Sequence, residues 1–162
     1  AANAEVDQAD DNGSTALHIA CQQGHTEVVT KLLAANASME QAMDDGRTPL
    51  HMACQEGRTE VVMALLAANA DVNHASTTGS TALEIASAEG QAEVVRRLLA
   101  AHADASHVGA YKYTALEVAQ MREHPEVVQI LEQAQARSRQ HALLPQHAPS
   151  VHAAPALSLI HI

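Results

Sequence analysis

Apolar positions recur along this chain with a 33-residue step. Leu17, Leu50, Leu83 and Leu116 keep that spacing, as do the pairs Val28-Val29, Val61-Val62, Val94-Val95 and Val127-Val128, and the polar markers Thr15, Thr48, Thr81 and Thr114. Within one period the pattern resolves into elements. Leu17, Ala20 and Cys21, at spacings of three and four, make one helical stripe, and Val28, Val29, Leu32 and Leu33 make a second. Thr15 stands where its side-chain oxygen caps the first helix, and Thr26 is well placed to start the second. Gly24 ends the first helix, and Asn36 takes the left-handed position that ends the second, where Asn is the best-tolerated residue after Gly. Asp10-Asp11-Asn12-Gly13 is a turn sequence. One period therefore predicts an antiparallel helix pair with an outward hairpin. Neither helix is long enough to persist alone, so burial must come from stacking one unit on the next. The expected fold is all-α: a solenoid of stacked antiparallel helix pairs with protruding β-hairpin loops.

Two units, residues 10–42 and 43–75, carry the pattern Gly-x-Thr-Ala/Pro-Leu-His-x-Ala-Cys-x-x-Gly-x-x-x-Val-Val-x-x-Leu-Leu-Ala-Ala-Asn-Ala, fullest at Gly46-Arg47-Thr48-Pro49-Leu50-His51-Met52-Ala53. This resembles the ankyrin repeat. The likeness covers residues 1–132, as a partial unit at 1–9 followed by units at 10–42, 43–75, 76–108 and 109–132, the last with a frayed helical extension to about 139. It implies that the rings of His18 and His51 bond to backbone and hold the hairpin against the helices. Glu84 and Glu117 fill that position later, so the tie is expected to be absent or different there. Asn3, Asn36, Asn69 and His102 replace the family's usual Gly after the second helix, with His102 the least comfortable choice. The fourth unit departs furthest: Lys112 and Glu123 stand at Gly positions, Pro125 suits a first helical turn, and Glu132 replaces a stacking Leu, which marks this unit as a terminal cap.

Residues 3–9 match the end of a unit, so an earlier unit is expected upstream. Residues 140–156 are rich in Ala, Gln, His and Pro and are expected to be disordered. The closing Leu157-Ser158-Leu159-Ile160-His161-Ile162 resembles a translated sequencing adapter, and no function is attached to it.

Composition narrows the function. With two Tyr and no Phe or Trp, Ala, Leu and Val must supply the core, which suits thin repetitive layers. All 19 acidic residues but only seven of nine basic ones lie within residues 1–132. Such a surface repels nucleic-acid phosphates, favours a basic protein surface as partner, and also serves solubility. No stretch approaches the roughly 20 apolar residues needed to cross a membrane. Cys21 and Cys54 share a register position one layer apart. Layers sit roughly 10 Å from one another and a disulfide needs Cα atoms within about 7 Å, so both read as buried thiols in a reducing compartment. The chain is expected to be intracellular, cytoplasmic rather than nuclear, with secretion as an effector left open, and monomeric as it stands.

Candidate chemistry is sparse. His18 and His51 lie a layer apart, beyond a shared ion. Cys21 and His25 are four apart, but no third group orients them as a nucleophile pair, and the next unit reads Cys54 and Arg58. Asp10, Asp11, Asp44 and Asp45 serve turns. No phosphate-binding loop occurs. No catalytic, metal or cofactor residue is expected. Leu65, Asp71, Val72 and Asn73 resemble the pattern at which ankyrin asparagines are hydroxylated; the alternative is plain stabilisation of the turn by Asn73.

The family likeness implies a partner-binding face made of hairpin tips and inner helices along a concave side. By register this face takes Asp11, Asn12 and Ser14 with Gln22 and Gln23 in the first unit, and Asp44, Asp45 and Arg47 with Gln55 and Glu56 in the second. The third supplies Thr77, Thr78 and Ser80 with Ala88 and Glu89, and the fourth Ala110, Tyr111 and Tyr113 with Met121 and Arg122. Tyr111 and Tyr113 either anchor a partner or cover the end of the stack. The expected function is a protein-binding module without catalysis. The alternative is a recognition arm of a larger enzyme or membrane protein.

Overall fold

The computed structural model describes residues 5–109 and 111–144. Four helix pairs follow one another: α1 (Ala16–Gln23) with α2 (Thr26–Ala34), α3 (Pro49–Gln55) with α4 (Thr59–Ala67), α5 (Ala82–Ala88) with α6 (Ala92–Ala100), and α7 (Ala115–Met121) with α8 (Pro125–Leu143). The first helices of successive pairs pack in series, α1 on α3 on α5 on α7, and so do the second helices, α2 on α4 on α6 on α8. The core is one continuous seam of Leu17, Leu50, Leu83, Val62, Val95, Leu65, Leu98 and Leu131, all almost wholly buried. The 33-residue register is thus the register of burial, and each unit's apolar stripe is covered by its neighbours.

The ends of the helices follow the local chemistry. Thr15, Thr48, Thr81 and Thr114 sit in extended backbone one residue before each inner helix. Asn36, Asn69 and His102 take left-handed φ of 62°, 66° and 65° after the outer helices, as the sequence requires, and Lys112 and Glu123 are forced to 62° and 59° at the Gly positions of the fourth unit. The last helix runs past the frayed end expected at about 139. It continues through Leu143, because the Ala, Gln, Arg and Leu of residues 133–143 are strong helix formers. Residues 140–143, expected in the low-complexity tail, are helical.

The expected β-hairpin loops do not form. Among the described residues there is no strand, and the sole pairing is an isolated bridge between Ala75 and Thr81. Each tip is a tight turn closed by two backbone bonds, as in Gly13 to the Asp10 carbonyl (3.0 Å) and Asp10 to the Ser14 carbonyl (2.9 Å). Neighbouring tips share one amide bond: Asp44 to the Asn12 carbonyl (3.0 Å), and Thr77 to the Asp45 carbonyl (2.9 Å). The chain enters a helix at the residue after each capping Thr, so a second rung of pairing has no room. A hydrogen-bonded ladder needs consecutive rungs.

Residues 145–156 of the low-complexity tail, the closing hexapeptide, Asn3 and Ala110 lie outside the described residues. No helix among the described residues is long and apolar enough to cross a membrane.

Candidate binding face

The inner helices and the tips that precede them meet through side chains that the register places side by side. In the second unit, Arg47 on the tip donates from Nε to Asp45 Oδ2 (2.7 Å) and from NH1 to Gln55 Oε1 on α3 (2.9 Å). Partial burial pulls the Asp45 carboxyl upward, but bonds from the Arg47 amide and guanidinium outweigh it and hold this carboxyl below its ordinary range. Next along, Thr77 donates its hydroxyl to the Asp45 carbonyl (2.8 Å), and Ser76 and Thr78 pair through their hydroxyls (2.9 Å). The side chains of these tips are therefore already linked to one another.

Every described residue expected on this face is at least partly open. Asp11, Asn12, Gln22, Gln23, Asp44, Asp45, Glu56, Thr77, Thr78, Glu89, Arg122, Tyr111, Tyr113 and Met121 are exposed, and Ser14, Arg47, Gln55 and Ser80 are half-buried. Ala88 is half-buried as well. Tyr111 is 77% exposed, Met121 54% and Tyr113 43%. Tyr113 and Met121 occupy the register positions of Arg47 and Gln55, the pair in contact in the second unit. The surface thus changes character along the stack: exposed carboxylates on the first two tips, hydroxyls on the third, and exposed Tyr and Met side chains on the fourth unit.

Beneath the tips lie the groups that fix them. His18 and His51 are buried. In each, Nδ1 accepts the amide of the capping Thr (3.1 Å at Thr15, 3.1 Å at Thr48). An amide can only donate, so Nδ1 is unprotonated and Nε2 carries the hydrogen. That hydrogen goes to the Arg47 carbonyl from His18 and to the Ser80 carbonyl from His51, each at 3.2 Å. Burial lowers both imidazoles, His51 to about 4, against the smaller opposing effect of the accepting carbonyls. Neither ring has a nitrogen free for a metal.

At the same position Glu117 caps instead: Oε2 accepts the Thr114 amide (2.7 Å) and hydroxyl (3.0 Å), and the amide bond holds its carboxyl below the usual range. Glu84 does neither. Its carboxylate is buried with Oε1 unpartnered, 3.7 Å from His107 Nε2, and its other oxygen lies against Gly109, where a Cβ would collide with it. Burial raises the Glu84 carboxyl, partly offset by His107.

Two arrangements went unread in the sequence. Arg58, Gln91 and His124, spaced by 33, donate back to the inner-helix carbonyls of Gln22 (3.0 Å), Gln55 (3.4 Å) and Ala88 (2.9 Å). The register carries that signal, although the three side chains share only donor capacity. Glu40, Asp71 and His74 bring three metal-capable groups together, one ligand atom from each lying within 4.8 Å of the others. Cys21 and Cys54 are buried free thiols, Cys21 pushed up to about 12 by burial and Cys54 higher still, so neither supplies a nucleophile. His25 turns away to Gln23 Oε1 (2.9 Å).

A family model of ankyrin repeats in three copies matches residues 2–76 and again residues 68–140. No curated protein matches the chain.

Proposed function

The chain belongs to the ankyrin-repeat family, a non-catalytic scaffold for protein–protein interaction, and on that premise we propose that it binds a basic protein segment across its tips and inner helices. The units are taken as 10–42, 43–75, 76–108 and 109–132. The observation that supports this reading is the exposure of Tyr111, Tyr113 and Met121 on the fourth unit of a stack whose first two tips carry Asp11, Asp44 and Asp45. Aromatic side chains with polar surroundings are the usual anchors of an interface, and carboxylates nearby set register and attract a cationic partner. An apolar side chain of the partner rests on the tyrosines, and its Lys or Arg residues face the acidic tips. The acidity of the chain disfavours nucleic acid in that role. The chain acts as a monomer inside the cell in this reading.

Selection of a random peptide library against the chain tests this. The recovered peptides should be basic with an apolar anchor, and should bind the Tyr111→Ala/Tyr113→Ala variant at least about tenfold more weakly, with its melting temperature unchanged. Acidic peptides, or binding indifferent to the double substitution, would overturn the reading.

A further inference from the structure

On the edge where each outer helix returns to the next tip, three register positions repeat. The first accepts an amide from the second, one unit on: Asp7 Oδ1 from Ser38, Glu40 Oε1 from Asp71, and Asn73 Oδ1 from Asp104, each at 2.8 Å. The third donates backward to a carbonyl: Gln41 Nε2 to Asp7 (3.2 Å), His74 Nε2 to Gly46 (3.1 Å), and His107 Nε2 to Gly79 (2.9 Å). These bonds ask only for an oxygen at the first position and an N–H at the third. Asn73 and Gln41 meet those needs without a charge or an imidazole.

The middle corner carries more than the fold requires. Glu40, Asp71 and His74 each offer a ligand atom, and the three lie within 4.8 Å of one another. Among the described residues, three such groups converge only here. Each side chain also has one atom committed to backbone: Glu40 Oε1 to the Asp71 amide, Asp71 Oδ1 to the Asn73 amide (3.0 Å), and His74 Nε2 to the Gly46 carbonyl. In the neutral ring, this carbonyl places the proton on Nε2 and leaves the lone pair on Nδ1. What remains is one imidazole nitrogen and two carboxylate oxygens, oriented by their backbone bonds as the outer shell of a metal site orients its ligands. Two carboxylates brought together in a chain of net charge -10 repel one another, and the register shows that their pairing is not needed for the backbone bonds. A cation reverses the sign of that interaction.

We propose that Glu40, Asp71 and His74 form a divalent-cation site of the zinc class, joining the first two units at their shared edge. One nitrogen and two oxygens satisfy three of four tetrahedral positions and leave one for water or a partner's side chain. The ring of His74 stands edge-on to the buried His51 at 5.8 Å between centroids, so the ion would fix a side chain that already packs on the core.

Titration of the whole chain, stripped with a chelator, by Zn²⁺ in a calorimeter and by Co²⁺ in the visible spectrum tests the site. The register supplies two variants: Glu40→Asn, as at position 73, keeps the bond to the Asp71 amide, and His74→Gln, as at position 41, keeps a donor that reaches back to the preceding unit, there to the Asp7 carbonyl. Wild type should take up one ion, with the cobalt band of a nitrogen–oxygen site. Each variant should bind at least about tenfold more weakly, with its circular dichroism unchanged. Asn73→Glu completes the next corner with Asp104 and His107 and should raise the stoichiometry to two. Absence of saturable uptake, or uptake that survives both Glu40→Asn and His74→Gln and therefore belongs to other histidines, would overturn the proposal; a stoichiometry left at one by Asn73→Glu counts against the ligand set.

Discussion

His18 spans 29 positions of sequence to donate its Nε2 hydrogen to the carbonyl of Arg47 at 3.2 Å. The bond joins an inner helix to the tip of the following unit, and His51 repeats it to Ser80. It works only with a neutral ring, because Nδ1 is already accepting the amide of the capping threonine.

Stability should therefore fall with acid in a defined window. Both imidazoles are lowered in the folded chain, so the unfolded chain takes up protons first. Their contribution is complete above about pH 6.5 and is lost as pH falls toward the His51 value of about 4. For His51 alone the loss is of order 3 kcal/mol. Urea unfolding across that range, with chelator present, should show the slope, and His51→Gln should flatten it.

Glu84 has the opposite sign. Its folded carboxyl is raised above the unfolded value, so its ionisation weakens the fold as pH rises through that raised position. Glu84→Gln should be neutral in strong acid and stabilising near neutrality. Glu84→His should gain more, about 1–2 kcal/mol, by restoring a donor in place of an orphaned acceptor. A lower melting temperature for both variants at pH 7 would contradict this account of the third junction.

Gly46→Ala should cost about 2 kcal/mol or more. The residue lies at φ 80°, and a Cβ there would meet the backbone amide of Thr77 and the Cα of Ser76. The atoms it would meet are all backbone, with no flexible side chain to yield. Thermal unfolding of the single variant measures it.

Val28 and Val61 share one register position, yet Val28 is 47% exposed and Val61 1%. Val61→Ala should cost about 2 kcal/mol, through lost burial and a cavity at an interface between units. Val28→Ala should cost about 0.5 kcal/mol or less. Equal losses would mean that burial between units is not what the period encodes.

The helix pairs were legible because their signal is local and repeated: the stripes of Leu17 and Val29, the threonine caps, and Asn36 and Asn69 at left-handed positions. The strands were overread. A turn sequence such as Asp10–Gly13 specifies a reversal, but pairing depends on how far the chain stays extended beyond it, and Thr15 commits the next residue to a helix. The fate of Glu84 was half legible. Its register predicted the missing tie, while the choice between capping, as Glu117 does, and burial beside His107 depends on space left by Gly109. Glu40, Asp71 and His74 were missed because their meeting depends on two units at once. The linkage of Asp45, Arg47 and Gln55 was not read from the sequence, because it joins a tip to the end of the following helix.

The ties from Arg58, Gln91 and His124, like the shared amides of the tips, each bridge one unit to the one before it and none reaches further. Tension on the chain is therefore borne link by link. A unit that lets go releases 33 residues, roughly 110 Å of slack, while the units beyond keep every bond among themselves. The molecule has the mechanics of a segmented spring: it lengthens in increments of fixed size, and it can recoil onto whatever portion remains stacked.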